Sequence, residues 1–188
     1  FGEIILRAKN GTSLDTLEDN TRKFTLLGDP SQILALPEHD VVVTTINDQD
    51  ATIYADTVGA LDKIKLGGEI RDYTGALLSG FSGEVFVTLF DKATELKTLG
   101  NDEDSYEKSF NQYRNIIFKG RASAVNGKFE IEFILPKDIN YQLGNGRISI
   151  YAHNALTDAA GHYDRLTIGG SSNTAVNDDE APEMALFM

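Results

Sequence analysis

From Asp40 onward, apolar and polar residues alternate with a period of two, and the runs are broken by Gly, Asn and Asp. The alternation predicts strands over Val41–Ile46, Ile64–Ile70, Glu84–Phe90, Asn115–Ala124, Lys128–Leu135, Arg147–His153 and Tyr163–Ile168. In Lys128–Leu135, Phe129, Ile131, Phe133 and Leu135 share one face while Glu130 and Glu132 take the other, as in a half-buried strand. Ile148, Ile150 and Ala152 oppose Arg147, Ser149 and Tyr151 in the same way. Val125-Asn126-Gly127-Lys128 supplies a hairpin turn with Asn-Gly where φ must be positive. About seven short strands with such turns predict an immunoglobulin-like antiparallel β-sandwich, a mainly β fold.

The first part of the chain reads differently. Residues 3–9 are helix formers ending at Asn10-Gly11, a helix C-terminus. Lys23-Phe24-Thr25-Leu26-Leu27 is a strand-like run stopped by the turn Gly28-Asp29-Pro30. A helix, a loop and a strand bury too little apolar area to fold alone, so residues 1–38 are expected to be the remnant of a preceding domain. Residues 39–173 then form the sandwich. Gly169-Gly170-Ser171-Ser172-Asn173 is its flexible exit, and residues 174–188 are a linker and the start of a following domain, with Leu186-Phe187-Met188 opening another strand. The stretch from Asp91 to Arg114, polar and aromatic by turns, is either an insertion or a ragged strand.

Charge and composition narrow the function classes. The formal charge of −12 opposes nucleic acid, whose backbone is bound by clustered Lys and Arg. No stretch approaches the ~20 apolar residues of a transmembrane helix. The chain has no Cys, which removes disulfides, Cys-ligated zinc and a cysteine nucleophile. His39, His153 and His162 are the only imidazoles, and no Gly-x-Ser-x-Gly elbow accompanies them, so a nucleophile–base pair is missing. Nothing in the motifs calls for a cofactor.

Two sets of residues are candidate sites. Asn101-Asp102-Glu103-Asp104 offers oxygen ligands of the kind calcium takes, though without the full alternating loop signature. A solvated acidic loop is the simpler reading of Asp102, Glu103 and Asp104, as it is of Asp48, Asp50 and Asp56 and of Asp178, Asp179 and Glu180. Tyr106, Phe110 and Tyr113 fall three and four residues apart. They line either a helix face that docks on a neighbour or a set of half-buried aromatics; exposed, they would suit a sugar or peptide groove.

The string Asn20-Thr21-Arg22-Lys23-Phe24-Thr25-Leu26-Leu27-Gly28-Asp29-Pro30-Ser31 resembles the segment that closes the caspase-like peptidase domain of the gingipain family. The rest of the chain, C-terminal to this string, resembles one branch of that family, the PorU-type sortases of the type IX secretion system in Bacteroidota. The likeness runs through Gly67-Gly68-Glu69-Ile70-Arg71-Asp72, Gly83-Glu84-Val85, Phe118-Lys119-Gly120-Arg121-Ala122, Val125-Asn126-Gly127-Lys128-Phe129, Leu135-Pro136-Lys137-Asp138-Ile139, Ala159-Ala160-Gly161 and Asn177-Asp178-Asp179-Glu180. Only the order of these pieces is specific. The resemblance implies a surface-associated parent that removes sorting signals from secreted cargo, using a His and a Cys in the caspase-like domain. Neither catalytic residue carries over to this chain. The implied role is a non-catalytic accessory segment of the outer-membrane surface, whose partners are the adjacent caspase-like domain, secreted cargo or other secretion components. The alternative is a cell-adhesion or carbohydrate-binding sandwich, which has no reason to begin with the tail of a peptidase.

Overall fold

The computed structural model describes residues 2–11, 25–102 and 104–172. The chain divides into two compact units, Phe1–Leu36 and Pro37–Met188.

In the first unit, α1 spans Gly2–Asn10. Glu3 in its first turn and Arg7 and Lys9 in its last complement the helix dipole, and Arg7 pairs with Glu3 one turn away at 2.6 Å. Gly11 closes the helix by donating to the Arg7 carbonyl, which is the expected stop. At the expected turn, Asp29 Oδ1 accepts from both the backbone N–H and the hydroxyl of Ser31. The strand-like run before it is corrected in part. Thr25–Leu27 lie outside any strand, and Lys23 and Phe24 lie outside the described residues. Among the described residues of its own unit the short run has no strand to pair with.

The described residues of the second unit carry eleven strands: β1 (His39–Ile46), β2 (Gln49–Asp50), β3 (Thr57–Ala60), β4 (Lys63–Arg71), β5 (Gly83–Phe90), β6 (Thr94–Lys97), β7 (Ser109–Gln112), β8 (Ile116–Ala124), β9 (Lys128–Ile134), β10 (Gly144–His153) and β11 (Asp158–Ser171). Every strand expected from the alternation is present. One nine-stranded sheet runs β8-β5-β10-β11-β1-β4-β9, with β2 on β1 and β3 on β11, and β6 pairs only with β7. The pairings are antiparallel except β1 with β11 and β3 with β11, which are parallel. The sheet turns a corner between β11 and β1, joined by only the pairs His39–Ala159 and Asp40–Ala160. On both sides of that corner the strands bury a row of side chains in one shared core, giving the sandwich. Gly161 makes the corner possible, because a Cβ there would run into the Val41 carbonyl.

The core is the set of inward rows from both layers. Val41, Val43, Ile64, Leu66, Ile70, Phe129 and Phe133 face Val85, Val87, Leu89, Ile148, Ile150, Leu166 and Ile168, all buried. Tyr163, also buried, places its hydroxyl on the Ala51 carbonyl at 2.8 Å. The Asn126-Gly127 turn has the expected positive φ at both residues, 53° and 76°. Its strands nevertheless part company: β8 pairs with β5 and β9 with β4. The stacked rings of Phe118 and Phe133, 3.8 Å apart, fill the space between them.

One polar pair sits inside the sandwich end. Asp91, 2% exposed, receives Lys92 Nζ at 2.6 Å and the Asn140 N–H at 3.0 Å. Lys92 also donates to the carbonyls of Asn140 and Ile168. Two charges therefore pin the 135–143 segment to the end of the sheet.

Candidate functional site

Strand alternation that buries one row of side chains must present the other to solvent. On the layer β9-β4-β1 the outward row is Lys, Glu, Arg and Thr. Lys63 meets Glu132 at 2.6 Å, Lys65 meets Asp48 at 2.8 Å and Glu130 at 3.1 Å, and Glu69 meets Arg71 at 2.9 Å and Lys128 at 3.4 Å. Hydrogen bonding to Arg71, against the cost of partial burial, holds the Glu69 carboxyl below the usual range. The hydrogen bonds to Asp48 and Glu130 raise the Lys65 ammonium. This face is internally neutralised.

The outward row of β8, β5 and β10 is different. Register places Phe86 between Tyr151 and Arg121, Phe90 beside Arg147, and Glu84 beside His153. Phe86 stacks on His153 with centroids 5.6 Å apart, and Tyr151 leans on the same imidazole at 5.9 Å. Phe90 meets Tyr113 at 6.5 Å, with the Arg147 guanidinium over the Tyr113 ring at 5.7 Å. Aromatic side chains thus occupy positions where a finished sandwich surface carries polar ones. Of the cations alongside, Arg121 pairs with Glu84 at 3.5 Å, and Lys119 and Arg147 make no ion pair among the described residues.

The two ends of this row open into shallow concavities. One, about 380 Å³, is lined by Phe90, Asn111, Tyr113, Arg147 and Ser149. The other, about 510 Å³, lies against Glu38, Tyr151, His153 and the 154–157 loop. There the Tyr151 hydroxyl donates to Asp158 at 3.1 Å, which raises its pKa because ionisation would lose that bond and meet a second negative charge. Thr157 donates to Glu38 at 2.7 Å, and Asn154 Oδ1 accepts the N–H groups of Leu156 and Thr157, leaving Leu156 at the loop tip 92% exposed.

The residues singled out by sequence spacing do not form one site. Tyr106, Phe110 and Tyr113 lie on and beside the β6–β7 hairpin, which overturns the helix-face alternative: the spacing of three and four spans a loop and a strand. Tyr106 is 69% exposed in the connecting loop with Lys108 Nζ over its ring, and Phe110 is 46% exposed opposite Leu96. Only Tyr113 joins the aromatic row. Asp102 and Asp104 are exposed in the same loop, where the Asp102 N–H is held by the Ser105 hydroxyl, and Glu103 lies outside the described residues. Asp48, Asp50 and Asp56 bond separately to Lys65, Thr52 and Gln49. Among the described residues no group of three or more His, Cys, Asp or Glu side chains could hold a metal ion. Asp178, Asp179 and Glu180 lie outside the described residues. Phe86, Phe90 and Arg147 were legible as outward positions of predicted strands, but alternation alone does not say that they are neighbours.

Chemically, the face offers hydrophobic edges, a phenol and unneutralised cations, which suits binding. The His153 imidazole makes ring contacts, and the chain has no Cys to act as a nucleophile. No helix among the described residues is long and apolar enough to cross a membrane.

No protein-family model matches the chain, and no curated protein does. Among solved structures, dimeric latent PorU from Porphyromonas gingivalis matches 94% of this chain at 35% identity, with a TM-score of 0.63. The chain is related to a segment of PorU. It spans 17% of the PorU chain's length. A weaker likeness is to the sporulation control protein Spo0M from Bacillus subtilis, at 12% identity over 72% of this chain and 51% of that one, with a TM-score of 0.38. Another is to a PapD-like domain of human CEP192, at 15% identity over 79% of this chain and 96% of that one, with a TM-score of 0.27. Neither bears on this chain beyond the PorU match.

Proposed function

We propose that this chain is a non-catalytic accessory β-sandwich of a surface-associated, gingipain-like cysteine peptidase of the PorU sortase kind. It supports the peptidase domain and contacts partners while that enzyme processes the sorting signals of type IX secreted cargo at the outer membrane. The observation that supports this most is the relation to PorU, because 35% identity over 94% of the chain spans far more than one motif. The absence of Cys supports an accessory role for these residues. In this reading residues 1–38 belong with a caspase-like domain, residues 39–173 are the accessory sandwich, and residues 174–188 lead into a further domain.

The test is made in the parent gene. The codons before Phe1 are read for a caspase-like His and Cys, and residues 39–173 are then deleted in frame. Cargo C-termini are followed by mass spectrometry and the amount of parent protein by immunoblot. The expected result is unprocessed cargo in the strain lacking the sandwich, as in one lacking the catalytic Cys. Normal processing without the sandwich, or no His–Cys pair before Phe1, would overturn the reading.

A further inference from the structure

We propose that the outer face of β8, β5 and β10 is a docking surface for an acidic protein segment. This deepens the partner-contact part of the proposed function and rests on it for the source of the segment, though not for the binding itself.

Three observations carry it. The first is the contrast between the two outer faces of one sandwich. The face on β9-β4-β1 pairs its cations at 2.6 to 3.4 Å, whereas the opposite face pairs Arg121 with Glu84 at 3.5 Å and leaves Lys119 and Arg147 without an ion pair among the described residues. The second is the sign of the surroundings. In a chain of formal charge −12, the exposed Lys119 and the half-buried Arg147 stand without an ion pair among the described residues and suit carboxylates from elsewhere. The third is the apolar content between them: Phe86, Phe90 and Tyr113, half-buried, and Tyr151, 41% exposed, hold outward positions on or beside the sheet. Charge depletion around aromatic anchors with a cationic rim is the composition of a protein interface core.

The geometry also selects between partner classes. A sugar binds an aromatic platform by laying a ring face-on over a free face. Here Phe86 has a face on His153, and Tyr113 has a face under Arg147 and lies tilted against Phe90. With those faces taken, the hydroxyl and cations beside them are a match for the aliphatic and carboxylate side chains of a polypeptide. The row along β10 from Arg147 to His153 extends roughly 20 Å at the ordinary strand rise, room for an extended segment and more than a small ligand needs.

The experiment titrates the full chain into a fluorescein-labelled peptide alternating Glu with Leu and Ala, and reads anisotropy. Its Lys-for-Glu counterpart and the polysaccharide polygalacturonate, used as a competitor, are run in parallel. The Glu peptide is expected to bind and the Lys peptide not, and polygalacturonate is expected to compete poorly. Arg147→Glu with Lys119→Glu should weaken binding about tenfold or more, while Lys63→Glu on the opposite face should leave it unchanged, with circular dichroism confirming that each variant is folded. Binding that survives the Arg147→Glu, Lys119→Glu pair, equal binding of both peptides, or preferential displacement by polygalacturonate would overturn the proposal. Because the probe is synthetic, failure here leaves the cargo-processing test untouched, and failure of that test leaves this binding result standing.

Discussion

Asp91 and Lys92 allow a quantitative test of how the sandwich end is held. The carboxylate is 2% exposed and the ammonium side chain 13%, with Oδ1 taking both the N–H and the Nζ of Lys92 and Oδ2 taking the Asn140 N–H. Asp91→Ala leaves a buried ammonium with only two carbonyls and strands the Asn140 amide. Breaking one partner of such a pair costs about 3–5 kcal/mol, while replacing both by apolar groups is often close to neutral. The expected outcome is therefore non-additive. Asp91→Ala and Lys92→Met should each destabilise strongly, and the double variant should be more stable than either single. The chain has no Trp, so unfolding in urea is followed by far-ultraviolet circular dichroism. With a slope of about 2 kcal/mol per molar, a loss of about 3 kcal/mol moves the midpoint by roughly 1.5 M. Single variants within ~0.3 M of the parent, or a double variant that falls by the sum of the singles, would show that the pair does not hold this end of the sheet.

Three further outcomes are expected. Burial would raise the Asp91 carboxyl, but hydrogen bonds from Lys92 and the Asn140 amide outweigh it and hold the pKa below the ordinary value. Its contribution is thus complete above the unfolded carboxylate range near 3.9 and is lost as pH falls through the lower folded value, so urea midpoints compared between about pH 5 and pH 2 should fall less in Asp91→Asn than in the parent. Gly161→Ala forces a Cβ onto the Val41 carbonyl and should cost at least ~1–3 kcal/mol by urea unfolding; a neutral effect would mean the corner is not closed there. Phe133→Ala removes a buried ring stacked on Phe118 and should cost about 3–5 kcal/mol, against a smaller loss for the half-buried Phe118→Ala; the reverse order in thermal melts would refute the packing described between β8 and β9.

The strands with one row in the core and the other in water were the ones legible in sequence. Lys128–Leu135 and Arg147–His153 alternate cleanly for that reason. Thr57–Ala60 escaped notice because its buried residues, Val58, Gly59 and Ala60, run consecutively and leave no alternation. The β6–β7 hairpin was hidden for the opposite reason: pairing only with each other and half in solvent, its strands carry no buried row to set a pattern. Parallel pairing at β1–β11 depends on residues 120 apart, beyond any local signal. The candidate face obeys the same logic. Phe86 and Arg147 each look unremarkable in their own strand, and become a site only when β5 and β10 are set side by side.

The parting of β8 and β9 governs when this domain can fold. In an ordinary hairpin the turn aligns the two strands it joins, so the first contacts made are already the final ones. Here Val125–Lys128 closes a tight loop, but each arm takes its alignment from a strand laid down earlier, β8 from β5 and β9 from β4. The corner between the layers waits longer still, for Ala159 to reach His39. Loop closure over such spans precedes any gain from the contacts, which places this domain among slow-folding β topologies. A ribosome would therefore hold the two layers unjoined until the start of β11 had emerged, so closing the corner is a late event for the whole domain.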